Sequence, residues 1–237
     1  MIMLLDRHTG LAPLRDFLEF LRRPRLLEPT GLRPPGALAT WLTLLALHLG
    51  VLLLVVMPMY GVWLTVFKLS PPDAFGKIAP ELLPGLTVLL APLGEELLFR
   101  GWQSGRPRAL WLLGCALVGI VVLVFGQGAN QPVATGLALL ALLMAAPIGW
   151  VRLRARATPR WFAAAFPAIF YAVVALFAVV HFVNYPSASL LGLPLLLPQL
   201  WGALVLGYVR QRIGLIGAIL DHAVANAVVL GLAMLGG

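Results

Sequence analysis

Residues 82–100 read Leu82-Leu83-Pro84-Gly85-Leu86-Thr87-Val88-Leu89-Leu90-Ala91-Pro92-Leu93-Gly94-Glu95-Glu96-Leu97-Leu98-Phe99-Arg100. The stretch 82–93 is apolar enough to belong to a membrane span, and it runs straight into two carboxylates followed by an arginine. Ionisable groups at membrane depth cost roughly 2.5 to 3.5 kcal/mol each on insertion scales, so such a cluster requires a partner, a water-filled cavity or a function.

The rest of the chain places this stretch in a membrane. Of its 237 residues, 61% are hydrophobic and 11% charged, with a mean hydropathy of +0.95. A soluble globular protein carries about one quarter charged residues. The expected fold is therefore all-α, a polytopic transmembrane helical bundle. Its net charge of +8 would suggest nucleic acid in a soluble protein. Here the arginines fall between apolar segments, where they set orientation, and no nucleic-acid partner is expected. The bilayer is the expected partner. Cys115 is the single cysteine, which excludes an intrachain disulfide.

At about 20 apolar residues per helix, seven spans are expected, within a range of six to eight: 41–66, 82–104, 109–126, 133–150, 162–184, 190–208 and 213–235. Pro58 should kink the first, and Pro84 and Pro92 should perturb the second. Ahead of them, Asp6, Arg7, Arg15, Asp16, Glu19, Arg22, Arg23 and Arg25 interrupt any apolar run, which argues against a cleaved signal peptide. Leu11, Leu14, Phe17, Leu18 and Leu21 recur at helical spacing, as in an interfacial amphipathic helix. Residues 1–36 are thus expected to form a cytoplasmic or interfacial segment and 37–237 a transmembrane domain. With the N-terminus inside, the segments 7–33, 106–108, 152–160 and 210–212 share the cytoplasmic side. The other side receives only Lys68, Lys77, Asp73 and Glu81 plus uncharged turns at 127–131 and 184–189.

Few ionisable groups remain in or near the spans: His48, Glu95, Glu96, Arg100, His181, Asp221 and His222. Glu96 and Arg100, four apart on a helix, share a face and can pair. Glu95 is rotated about 100° from Glu96 and is the candidate general base. A plainer reading has all three capping the end of a span. Phe177 and His181 share a face, and a hydrogen-bonded core histidine is the competing reading there. His222 and Asn226 also project from one face and can donate toward a common point, as an oxyanion formed in peptide hydrolysis requires. Their alternative is an interhelical polar clamp. Asp221 points about 100° away from His222; a pairing with His48 or with an arginine stays open.

Together, Glu95-Glu96 with Arg100, Phe177 with His181, and His222 with Asn226 match, in order, the motifs EExxxR, FxxxH and HxxxN. On these motifs the chain resembles the CAAX-protease and bacteriocin-processing family of intramembrane proteases, also called the Abi family. The flanks Ala91-Pro92-Leu93-Gly94, Gly101, Gly207-Tyr208 and Gly214-Leu215-Ile216 are similar too, and the resemblance covers about 84–104 and 170–230. It implies an intramembrane endopeptidase in which Glu95 and His181 activate a water, while His222 and Asn226 stabilise the oxyanion. The implied substrate is a peptide or lipidated protein. No cofactor is expected; the alternative is zinc held by Glu95, His181 and His222 with a water in fourth place, which is why members are often called metalloproteases. The short loops and many arginines look bacterial, which places the chain in an inner membrane.

Two features depart from the family pattern: the extra spans 109–126 and 133–150 between Arg100 and Phe177, and Asp221 beside His222. Helix counting also sets His181 about 12 Å outward of Glu95 and His222, unless the fifth span is shifted or a helix is broken. Two other functions compete: a non-catalytic immunity or scaffold protein binding a peptide or lipid in the same cavity, and a proton-coupled transporter. The transporter lacks a visible inverted repeat.

Overall fold

A computed structural model describes residues 12–72, 78–185 and 190–236. Asp6, Arg7, Leu11, Asp73, Lys77 and the turn residues 186–189 lie outside the described residues. The described chain is helical, without strands. Its helices are α1 (Ala12–Arg22), α2 (Ala37–Val51), α3 (Met57–Phe67), α4 (Ala91–Arg100), α5 (Pro107–Gly128), α6 (Pro132–Leu153), α7 (Arg160–Val180), α8 (Leu197–Arg212) and α9 (Leu215–Gly236). Seven helical stretches are long and apolar enough to span a bilayer: Ala37–Phe67, Pro80–Arg100, Pro107–Gly128, Pro132–Leu153, Arg160–Asn184, Leu190–Arg212 and Leu215–Leu235. The chain is an integral membrane protein.

The prolines act where expected, by a specific device. Pro58 has no N–H to give the preceding turn, and its ring crowds the carbonyl of Leu54. The helix accommodates it with a π turn over Leu52–Val56, in which Met57 N–H reaches back to Leu52 O, joining α2 to α3. The second span does the same between Pro84 and Pro92, where Gly85–Leu90 is π-helical and Ala91 N–H bonds to Leu86 O. That span ends at Arg100 rather than 104. Residues 101–104 form a turn closing on Gly105, whose φ of +64° suits glycine and where a Cβ would collide with the Phe162 ring.

The described chain forms two compact units, one of residues 12–96 and 166–236 and the other of 97–165. The second contains the two extra spans as a helical hairpin, α5 against α6. Trp111 donates to Ala145 O at 3.2 Å, and Arg108 stacks over the Trp150 ring at 4.6 Å. Neither helix has a buried residue.

In the first unit, α7 presents Phe166, Phe170, Val173, Val174 and Phe177 as a buried stripe, and α8 presents Ala203, Val205, Leu206 and Val209. Gly214, at φ +123°, makes the turn that reverses α8 into α9. α1 lays Phe17 against Trp201 and Tyr208, and Phe20 against Phe170 and Tyr208, with ring centroids 5.0–6.1 Å apart. Tyr171 also donates to Leu21 O. Phe20 therefore supplies the packing expected of Leu18, which is 58% exposed. The apolar face of α1 is covered by protein. Beyond α7, Tyr185 donates to Leu195 O at 3.0 Å, and burial pushes its phenol well above the usual tyrosine range, which keeps it a neutral donor.

One loop assignment is corrected. Arg210 was expected beside Arg212 in a solvated connection, but α8 runs on to Arg212 and buries Arg210. It continues the face of Ala203 and Leu206 by helical spacing, whereas Arg212 is only half-buried and reaches Asp16 at 3.7 Å.

Candidate active site

The π turns carry the second span into α4, where Glu95 and Glu96 leave the helix about 100° apart. Glu96 is fully buried, and its Oε1 meets His222 Nδ1 at 2.9 Å. Glu95 turns to the other histidine as well. Its Oε2 lies 3.7 Å from His181 Nε2 and 3.9 Å from His222 Nε2. Both separations exceed a hydrogen bond, and Glu95 Oε2 is buried without a hydrogen-bond partner among the described residues. Two imidazole nitrogens thus approach one carboxylate oxygen.

His181 reaches that point because α7 stops at Val180 and the chain tightens into a 3-10 turn over His181–Asn184. Its Nδ1 donates to Phe177 O at 2.6 Å. Since a carbonyl can only accept, this fixes the proton on Nδ1 and leaves Nε2 aimed at Glu95. The buried Phe177 ring sits 4.7 Å from the His181 ring and 6.1 Å from that of His222, so it packs against both imidazoles.

The expected outward offset of His181 does not occur. The 3-10 turn after α7 brings His181 Nε2 to 3.7 Å from Glu95 Oε2 instead.

Asn226 follows His222 by one turn on α9 and donates from Nδ2 to Thr87 O at 2.9 Å. The π register makes this carbonyl available. Leu86 O has taken the N–H of Ala91, and the next π partner of Thr87 O would be Pro92, which has no N–H. One N–H of the amide is thereby engaged and its second stays to donate.

Glu96 has a further electrostatic partner that the sequence did not suggest, the buried guanidinium of Arg210, on which its carboxylate acts coulombically. Arg210 was hidden by the expected loop, although its spacing from Ala203 and Leu206 gave a readable signal. Arg100 ends α4 and is itself buried. Asp221 pairs with His48 at 2.6 Å, resolving the alternative left open for it.

A zinc ion bound by Glu95, His181 and His222 would need all three at roughly 2.0–2.2 Å from one point. Among the described residues, no group of three His, Cys, Asp or Glu side chains is arranged to hold a metal. The arrangement offers a carboxylate with an oriented imidazole and a second imidazole nitrogen within 4 Å of it, and an amide one turn further along α9.

The family described as type II CAAX prenyl endopeptidase Rce1-like matches residues 79–228, a stretch that opens just before the π turns and closes just after Asn226. No curated protein and no solved structure matches the chain.

Proposed function

The chain belongs to the Rce1-like type II CAAX prenyl endopeptidase family, and on that premise we propose that it hydrolyses a peptide bond at or within the membrane with a water activated by Glu95 and His181. The observation that carries this reading is the convergence of His181 Nε2 and His222 Nε2 on the unpartnered Glu95 Oε2. A water at that point accepts and donates what the three groups lack.

In the proposed reaction the neutral His181 Nε2 accepts a hydrogen bond from the water and aims its lone pair, while Glu95 removes a proton. The oxygen bonds to the scissile carbonyl carbon, and the carbonyl π electrons move onto oxygen. His222 Nε2–H and the second N–H of Asn226 stabilise that oxyanion. As the carbonyl re-forms, the C–N bond breaks, and the proton held by Glu95 passes to the departing amine. The products are a carboxylic acid and an amine, with one water consumed.

This role requires a proton on His222 Nε2. A neutral His222 donating from Nδ1 to an ionised Glu96 has none there. The Glu96–His222 pair must therefore hold one proton more than carboxylate plus neutral imidazole. Arg210, on which Glu96 acts electrostatically, contributes to the charge balance around this pair. Arg100, four residues from Glu96, is assigned to the same charge balance by its helical spacing. We assign no metal to the reaction.

The substrate we propose is a peptide or a lipidated protein, and the chain is placed in a bacterial inner membrane with its N-terminus cytoplasmic. Segments 1–36 and 37–237 are assigned as surface segment and protease domain. The test compares membrane-peptide termini from cells carrying the parent chain or Glu95→Ala at equal expression. A fragment lost with Glu95→Ala names the substrate. Biological function that survives Glu95→Ala, His181→Ala and His222→Ala alike would instead identify a non-catalytic binding protein.

A further inference from the structure

A second buried acid–imidazole pair lies outside the proposed chemistry. His48 on α2 donates from Nδ1 to Asp221 Oδ1 on α9 at 2.6 Å, with side chains 3% and 0% exposed. Asp221 Oδ2 has no hydrogen-bond partner among the described residues, so this carboxylate is held through Oδ1 by His48. One turn earlier on α9, Gly217 O accepts from the indole of Trp41, again on α2, at 2.9 Å. α2 itself is tied to α8 by Trp201, whose indole donates to His48 O at 3.0 Å.

Two directed bonds, four residues apart on α9 and seven apart on α2, join the same two helices. A single contact leaves a helix free to rotate about it; two along its length fix both rotation and axial position. Asp221 and His222 are consecutive, so their side chains leave α9 about 100° apart. Anchoring Asp221 on α2 consequently aims His222 at Glu96 on α4. A slip of one residue would turn His222 by that angle, and a slip of one turn would carry it about 5.4 Å along the axis. Separations of 2.9 Å to Glu96 and 3.9 Å to Glu95 tolerate neither.

We propose that α2, through the pairs His48–Asp221 and Trp41–Gly217, sets the rotation and register of α9 and so positions His222. His48 and Asp221 are positioning residues; neither touches the reacting atoms. The partner helix lies outside the family-matched residues 79–228, so this clamp joins the matched region to a helix supplied by the chain before it. The inference rests on the reading of His222 as an oxyanion donor for its catalytic consequence, but not for its geometry.

The chain has four histidines, few enough for their imidazole nitrogens to be followed one by one by NMR of the 15N-labelled full chain in lipid nanodiscs. In the parent, His48 must show a protonated Nδ1 hydrogen-bonded to carboxylate; a His48 lacking it overturns the proposal without any variant. Two variants then test the function of the pair. The double substitution His48→Leu with Asp221→Leu removes both partners, so neither is left buried alone, and Asp221→Asn keeps shape while removing charge. Activity is read on a quenched fluorescent peptide with a farnesylated C-terminal CAAX box. We expect the double variant to unfold near the parent temperature, to displace the His222 signals, and to lower kcat about 10- to 100-fold with KM within about twofold, as loss of an outer-shell orienting partner does. Asp221→Asn should show the same changes in smaller degree. A folded variant with unmoved His222 signals, or displaced signals with parental kcat, overturns the proposal. If the parent fails to cleave the peptide, the substrate reading fails alone, and the NMR signals still decide the clamp.

Discussion

Asn226 on the last helix donates its side-chain amide to the backbone carbonyl of Thr87, 2.9 Å away in a π-helical turn of the second span. The bond ties a motif residue to an irregularity of the backbone, and the irregularity is maintained by Pro92 five residues on. Pro92→Ala supplies the missing N–H. We expect the helix to regularise and Thr87 O to be recaptured within it. Peptide cleavage should fall about tenfold or more with little loss of thermal stability, because misplacing a positioned group by about 1 Å already costs about a hundredfold. Parental activity in Pro92→Ala would show that the cross-helix bond is dispensable.

Glu95 is partly accessible and has no hydrogen bond to lose, so its replacement should spare the fold. Glu95→Gln should lower kcat about 10²- to 10⁴-fold, the usual range for a positioned general base, with an unchanged melting temperature. Retained turnover would remove Glu95 from the chemistry.

Glu96 is the opposite case, fully buried against His222. Glu96→Ala leaves the charges around it uncompensated and should destabilise the chain by about 3–5 kcal/mol. Unfolding measured in a fixed detergent checks the contrast with Glu95→Gln; equal effects of the two would contradict the division of roles.

If Glu95 and His181 activate the water as proposed, a strong zinc chelator should leave cleavage by the purified protein unchanged. Activity lost on chelation and restored by zinc would assign Glu95, His181 and His222 to a metal instead.

Phe20 fills the space between Phe170 and Tyr208. Phe20→Ala should cost about 3 kcal/mol, at the lower end of the range for a buried aromatic, and release α1 to proteolysis. Leu18→Ala, on the exposed face, should do neither.

These cases also mark what a sequence can say. Glu96 to Arg100, Phe177 to His181 and His222 to Asn226 are legible because a helix places residues four apart on one face, and seven apolar stretches announce seven helices. Spacing says nothing about which face meets which helix. The partnership of His48 with Asp221, 173 residues apart, has no local signature, and Arg210 was masked by the expectation that arginines belong to loops. The outward offset of His181 had a similar origin: spacing along one helix carries no information on how neighbouring helices are set in depth, and the structure brings His181 to 3.7 Å from Glu95.

The π turns of Gly85–Leu90 give the second span an unusual genetic property. A π turn holds more residues per turn than its α-helical neighbours, so deletion of one codon within 85–90 can be absorbed by reversion to an ordinary α-helix. The protein would keep its helices, its insertion and the facing of Glu95 and Glu96, while the carbonyls of the former π turn returned to the α-helical ladder and the one held by Asn226 was lost to it. Codon number in this segment is thus constrained by the site rather than by the fold.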